Sequence, residues 1–311
     1  MKNKEDLGTK YTIIICASLM LLILITFFQV AFGKEKKKEP MEISVLLYTA
    51  GPGAWETLQQ GLARAEDDFS VDINYVTIRE EADAGEQLAT IRKEIDNGAQ
   101  AIIIAVTDWK GWNEIYKDNM FSVPVVAVES GFGDHTIPYI SADNYEMGRL
   151  LGEQILSDIP DKEQLVVAVD QGKWERESVI QREEGLKAAL GERARYISVR
   201  AAFNGETADV AVGLEKDSLL VLAENEKQSM RQTKIYGIGS TASIVAALDY
   251  GKIEKIVFQN EFNMGYLAVE YLVRQKGKGV QSDREPIDYF CVGRKEIYDS
   301  PFEQLLFPIV E

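Results

Sequence analysis

Glu129 closes the apolar run VPVVAV, an odd place for a carboxylate unless the run is a strand that opens into a cleft. A carboxylate there can accept two hydroxyl hydrogen bonds from a polyol or pair with a cationic ligand. Arg176, in the polar stretch DQGKWERE, is the candidate counter-charge from the second half of the chain, weighed against a solvated surface arginine. Trp55 follows Gly51-Pro52-Gly53-Ala54 and opens a helical pattern. An indole at such a turn either offers a flat face to a sugar ring or planar base, or staples the helix start to the core. Trp174 lies on a polar stretch and reads either way, while Trp109 and Trp112, three apart, read as packing residues.

Other patterns argue against catalysis. The acidic pairs Asp67-Asp68 and Glu80-Glu81 read as solvated faces, and neither a G-x-S-x-G nucleophile motif nor a histidine cluster accompanies them, His135 being the single histidine. With Cys16 and Cys291 the only cysteines, Cys/His metal-ligand spacings are absent, and nothing in the sequence asks for a metal or other cofactor. Gly51-Pro52-Gly53 begins like a dinucleotide fingerprint, but Glu56 stands where the third glycine belongs and would set a negative charge beside a pyrophosphate. Gly237-Ile238-Gly239-Ser240-Thr241 reads as a tight turn with a hydroxyl cap.

These residues sit in a chain of 311 residues, 46% hydrophobic and 27% charged, a globular composition of a length that suits two lobes. Its net charge is −16; seven lysines against four acidic side chains leave residues 1–40 at +3, so the rest carries −19. So acidic a body is repelled by phosphate backbones, which argues against nucleic acid as a partner.

After residue 40 short apolar runs alternate with helical patterns. EISVLLY, VDINYVTI, AIIIAV and VPVVAV are separated by WETLQQGLARAEDDF, a helix ending near Asn97-Gly98, and a helix over Trp109 to Asn119. The rhythm restarts after residue 141 with a helix from Tyr145 to Leu156, the strand LVVAVD, a helix over Ser178 to Leu190, and strands ARYISVR, SLLVLA, KIYGIG and KIVFQ. Near-continuous apolar strands alternating with helices predict α/β architecture: two doubly wound parallel-sheet lobes, helices on both faces of each. Ligands of such sheets bind beyond the carboxyl ends of the strands, so the residues following each strand are the candidates.

Before the body, Tyr11 to Phe32 is uncharged over 22 residues, and as a helix rising ~1.5 Å per residue it reaches ~33 Å, enough to cross a bilayer. The organisation expected is a cytoplasmic tail (1–10), a transmembrane anchor (11–33) and a linker (34–41). A cleaved signal peptide is the alternative, disfavoured by the length of the run and by the poor cleavage site Ala31-Phe32-Gly33. Acylation of Cys16 is disfavoured by Ile15 before it.

The ordered pieces resemble the type I periplasmic binding proteins, the group of ribose-binding protein and the ligand-binding core of the lactose-repressor family, over essentially residues 42–300. The segments that carry the likeness are the opening strand, turn and helix ending LQQGL, then IRKEIDNGAQAIIIAVTD, VPVVAVES, ISADNYEMGRLLGEQI, REEGLKAAL, LLVLAEN, IYGIGST and DYGKIEKIVFQNEFNMGYLAVEYL. The resemblance implies lobe 1 at 42–142 plus 260–290, lobe 2 at 143–259 plus 291–311, three crossing segments, and closure around a ligand by a hinge. It implies a pocket with Trp55, Phe203 in lobe 2, Asn225 of LAEN and Gln259 of VFQN. Glu129 takes the place of the usual Asp, and Ser130 that of a frequent arginine. Ile180 and Gly239 replace a further arginine and an acidic residue, so the pocket departs from the family pattern.

The expectation is an extracytoplasmic solute-binding protein, not an enzyme, that captures a sugar or similar small polar ligand for a membrane ABC-type permease. The alternative is a ligand-sensing subunit for a membrane kinase or chemoreceptor. Three lysines before the apolar run against four after it favour a cytoplasmic body, whereas the resemblance points outward.

Overall fold

The computed structural model describes residues 11, 15–27, 39–117, 120–133, 137–170, 172, 176–225, 230–275 and 285–307. The chain divides into two units, Met1–Pro40 and Met41–Glu311. In the first, residues 15–27 are helical and their apolar side chains are exposed. Among the described residues no helix is long and apolar enough to cross a membrane. The tail expected at 1–10 and parts of the segments expected at 11–33 and 34–41 lie outside the described residues.

The second unit holds two six-stranded sheets. The first is built from β1 (Met41–Tyr48), β2 (Val71–Ile78), β3 (Ala101–Ile104), β4 (Val125–Val128), β5 (Tyr139–Ser141) and a late strand, β11 (Glu285–Pro286), in the order β11-β5-β4-β3-β1-β2, all parallel. The second is built from β6 (Leu165–Asp170), β7 (Ala194–Ser198), β8 (Val210–Gly213), β9 (Lys234–Ile238), β10 (Lys255–Gln259) and β12 (Tyr289–Gly293), in the order β12-β10-β9-β8-β6-β7. Only β12 runs antiparallel to its neighbour.

Alternation along the strands sends side chains to two layers. Ile43, Val45 and Leu47 pack under α1 (Glu56–Phe69) and α9 (Glu261–Gln275), while Leu46, Ile102 and Ile104 face α2 (Ala84–Asp96) and α3 (Trp109–Ile115). In the second sheet Val167, Val212 and Tyr236 meet α4 (Asn144–Asp158) and α5 (Glu177–Leu190). Its other face carries α6 (Val199–Phe203), α7 (Lys216–Ala223), α8 (Ala242–Asp249) and α10 (Phe302–Leu306).

Each lobe contains one helix pair in close contact, and each pair is made possible by two glycines. A Cβ on Gly61 of α1 would stand 1.9 Å from the Phe262 carbonyl oxygen, and one on Gly265 of α9 2.3 Å from that of Leu58. In the second lobe a Cβ on Gly148 would stand 1.9 Å from the Arg182 oxygen, and one on Gly185 1.9 Å from that of Tyr145. Only a residue without a side chain lets backbones approach so near.

Three segments cross between the lobes: Ser141 to Asn144, Gln259 to Glu261, and Pro286 to Tyr289. They hold one another, the Ala142 amide donating to Gln259 Oε1 (3.2 Å), Ile287 N–H to the Ser141 carbonyl (3.4 Å) and Asn260 N–H to that of Asp288 (2.9 Å).

One expected element is corrected. SLLVLA is not a strand but most of α7, and the strand before it is the shorter run at Val210–Gly213. An apolar run of six fits either element by pattern alone. Here the Glu215 and Ser218 side chains form a reciprocal capping box that starts a helix. The helix expected over Trp109 to Asn119 ends at Ile115, and residues 118–119 lie outside the described residues.

Candidate functional site

The carboxyl ends of both sheets meet at one small cavity. Lobe 1 supplies Tyr48 from the end of β1, Trp55 from the N-cap of α1, Glu80 after β2 and Glu129 after β4. Lobe 2 supplies Arg176 and Ser178 from the start of α5, and Glu215, Lys216 and Asp217 from the start of α7. The space between the walls is about 30 Å³, room for one or two waters, whereas small-molecule sites commonly run to ~300–1,000 Å³. In this conformation the walls touch each other.

The contact is largely ionic. Arg176, 2% exposed, places Nη1 at 2.7 and 2.8 Å from the two carboxylate oxygens of Glu215 in its own lobe. Its Nη2 reaches across the cleft to Glu80 at 3.0 Å. Arg182 approaches Glu129 at 3.6 Å and is itself held by Asn144 Oδ1 (2.8 Å) and the Leu214 carbonyl (3.1 Å). Lys216 pairs with Glu261 at 2.6 Å and donates to the Ala54 carbonyl. Backbone groups join in: Gly51 N–H donates to Asp217 Oδ2 and Gly131 N–H to Glu177 Oε2, each at 3.2 Å.

Two aromatic faces of lobe 1 carry the cations of lobe 2. The Arg176 guanidinium carbon lies 4.1 Å from the Tyr48 ring centroid, and Lys216 Nζ 5.6 Å from that of Trp55, both within the ~6 Å over which a cation feels an aromatic quadrupole. The rings meet edge to face, 4.9 Å apart, and Trp55 Nε1 donates to the Tyr48 carbonyl at 2.9 Å.

Glu129 is aimed by its backbone. Its φ of 62° is left-handed, rare outside glycine, asparagine and aspartate. Tyr139 Oη and Ser141 Oγ donate to its carbonyl oxygen, and Tyr48 Oη donates to its carboxylate at 3.1 Å.

The surroundings shift the charges in opposite directions. Burial pushes the Glu129 carboxyl up, but Arg182, Lys216, Arg176 and the Tyr48 hydroxyl together hold it below the usual range. Burial pushes Glu215 up to about 7, Glu129 adding to the rise and the two arginines opposing it. Glu261 is raised, mainly by burial, against the pull of Lys216. Burial works against the Arg176 charge, yet Tyr48, Glu215, Glu129 and Glu80 hold it above its ordinary value. Among the described residues Arg176 Nε and Ser178 Oγ are buried with no partner.

Of the residues singled out by sequence, Trp55, Glu129 and Arg176 line this cavity. Ser130, 1% exposed, sits beside Glu129, its Oγ accepting from Ser178 N–H at 3.4 Å. Gln259 ties the first two crossings and lines a separate hollow of about 740 Å³ with Thr57, Ser240 and Phe307. Phe203 packs against the core on the α7 side of the second sheet and does not line the cavity. Asn225 lies past the far end of α7, ~12 Å of helix from the cleft, because the strand assigned before it is a helix. Trp174 lies outside the described residues, and Trp112 is buried in the lobe 1 core.

The residues missed are Glu215, Lys216 and Glu80. Glu80 is paired with Arg176 and is not part of a solvated acidic face. The helix start at Lys216 carries no ordinary sequence signal, because Glu215 and Ser218 reverse the usual Ser-x-x-Glu order of a capping box. The Gly51 turn offers no phosphate site, since its amide is taken by a carboxylate.

Solved structures share the fold. A glucose-galactose binding protein, GanP, from Geobacillus stearothermophilus is 21% identical, with a TM-score of 0.70 over 85% of this chain and 100% of that one. An ABC transporter solute binding protein from Burkholderia graminis, solved with D-arabinose, is 16% identical with a TM-score of 0.74, covering 85% and 99%. One from Agrobacterium vitis, bound with α-D-tagatopyranose, is 17% identical with a TM-score of 0.74, covering 86% and 100%. No curated protein matches the chain by sequence. The periplasmic binding protein domain matches residues 43–279, and the chain therefore belongs to the periplasmic binding protein family.

Proposed function

We propose that the chain is an extracytoplasmic receptor that takes a sugar or similar small polar solute between its two lobes and presents it to a membrane ABC-type permease. The observation that carries the reading is the convergence of strand ends from both sheets on one cleft, with an indole, carboxylates and guanidinium groups facing each other there. Such groups match the apolar face and the hydroxyls of a polyol. Trp55, Glu129, Ser130 and Arg176, joined by Tyr48, Glu80, Glu215 and Lys216, form the working set. Gln259 acts at the crossing. With about 30 Å³ between the walls, ligand enters when the lobes part about the three crossings.

Residues 11–33 serve as the membrane anchor in this reading, with residues 1–10 inside and the body outside. The apolar helix at 15–27 and the family's extracytoplasmic role support it. A second role, as the sensing subunit of a membrane kinase or chemoreceptor, draws on the same tether, which fixes the body beside a membrane partner.

The test is thermal unfolding of the full chain in mild detergent against sugars, polyols and nucleosides. Ligand at ~100 times its Kd stabilises by ~2.7 kcal/mol, a shift of several degrees. A panel with no shift rejects the receptor reading. Crosslinking in cells separates the two roles: a permease subunit is expected, and capture of a kinase or chemoreceptor alone favours the second.

A further inference from the structure

We propose that the solute bound in this cleft is a small organic cation, a polyhydroxylated amine of amino-sugar type, whose place Arg176 and Lys216 take when the lobes close on each other. The inference rests on the receptor reading above and narrows its ligand.

The lobe 1 wall is already built around positive charge. Tyr48 offers its face to a guanidinium and Trp55 to an ammonium, at 4.1 and 5.6 Å. Around those faces stand the carboxylates of Glu80 and Glu129 and the Ala54 carbonyl, with Glu261 at the crossing. An aromatic face rimmed by acceptors is the arrangement that recognises ammonium and guanidinium groups, because each element lowers the energy of a desolvated cation. Here the occupants come from the opposite lobe.

The charge balance points the same way. Among the described residues at the cleft, the carboxyl groups of Glu80, Glu129, Glu177, Glu215, Asp217 and Glu261 face the three cations Arg176, Arg182 and Lys216. That leaves a surplus of negative charge in a buried place. Burial raises Glu215 and Glu261 against the pull of their basic neighbours, and a further cation beside them would favour their charged forms. An anionic solute would add to the surplus and a neutral one would leave it, whereas an amine relieves it. The −19 carried by residues 41–311 draws cations toward the mouth from a distance.

The hydroxyl half of the ligand follows from the two buried atoms that lack partners. Arg176 Nε–H is a donor, and Ser178 Oγ can donate or accept; both residues line the cavity. Solute hydroxyls that reach these atoms supply the missing partners, and an unsubstituted alkylamine offers no acceptor for Arg176 Nε–H.

The experiment is thermal unfolding of the full chain in mild detergent at pH 7 with matched pairs: glucosamine against glucose and N-acetylglucosamine, galactosamine against galactose. The amines are expected to bind at least tenfold more tightly than their neutral partners. Neutral sugars that bind as well or better overturn the cationic ligand while leaving the receptor reading in place. A panel in which nothing binds overturns both. Arg176→Ala supplies the second arm: with the internal occupant gone, added ethylguanidinium is expected to raise the midpoint of the variant and not that of the parent. A folded variant indifferent to ethylguanidinium overturns the stand-in role; if the variant does not fold, the matched pairs decide alone.

Discussion

The two lobes are alike in build and differ in the chemistry of their cleft walls. Each is a six-stranded, mostly parallel sheet with helices on both faces and one glycine-seated helix pair. Yet at the cleft lobe 1 presents aromatic rings and carboxylates, whereas lobe 2 presents Arg176, Arg182 and Lys216 among carboxylates of its own, Glu215 and Asp217. The fold dictates where strand ends converge, and the residues placed there decide whether the walls repel, ignore or bind one another. In this chain they bind, which makes each lobe a ligand of the other.

The severest way to break the comparison is to remove the most heavily paired cation of lobe 2. Arg176→Ala leaves Glu215 and Glu80 without their partner in a mostly buried place, and is expected to cost ~3 kcal/mol or more in urea unfolding. Gly148→Ala tests the likeness of build: a Cβ 1.9 Å from a carbonyl oxygen must force the α4–α5 pair apart, at a cost of ~1–3 kcal/mol. Gly61→Ala in lobe 1 is expected to match it, and a harmless substitution at either site would mean that the pairs are not equivalent.

Acidity sharpens the contrast. Glu215 is raised to about 7, so folding takes up a proton that the unfolded chain, near the ordinary carboxylate value, does not hold. Its contribution is full below that ordinary value and is lost as pH rises through about 7. Facing Glu215 are Arg176 and Arg182 from α5, Glu129 from the turn after β4 and Tyr48 from β1. Glu129, held low, acts in the opposite sense only in stronger acid. The unfolding midpoint is therefore expected to be higher at pH 6 than at pH 8, and Glu215→Gln to flatten that slope.

Glu80→Gln should be milder, ~1 kcal/mol, because Glu80 is 21% exposed and its pair spans the lobes. Its signature is local: faster hydrogen exchange at the Gly51 and Gly131 amides, which donate across the cleft, with the sheets unchanged. Smallest of all in its effect on binding, Asn225→Ala is expected to leave ligand affinity as it was, checked by the same thermal-shift titration.

The sheets were legible because buried parallel strands are nearly continuous apolar runs, as in AIII and VVAV, where every side chain is buried. Glu129 and Trp55 were legible for a related reason, since polar or aromatic residues just past such runs have few other places to go. The reading failed at 210–225, where a four-residue strand precedes an apolar helix and the longer run drew the strand assignment. That slip hid Glu215 and promoted Asn225. The Glu80–Arg176 pair was beyond the sequence altogether, because no local pattern links residues 96 apart.

The glycine-seated helix pairs govern how motion is distributed. Backbones locked at van der Waals contact behave as stiff plates, so bending concentrates in the three crossings, tied together by Gln259 and the Ser141 and Asp288 carbonyls. A stiff plate on a narrow axle cannot yield contact by contact. The cross-cleft pairs must then let go nearly together, and opening has the character of a latch with a threshold rather than a spring with a graded response.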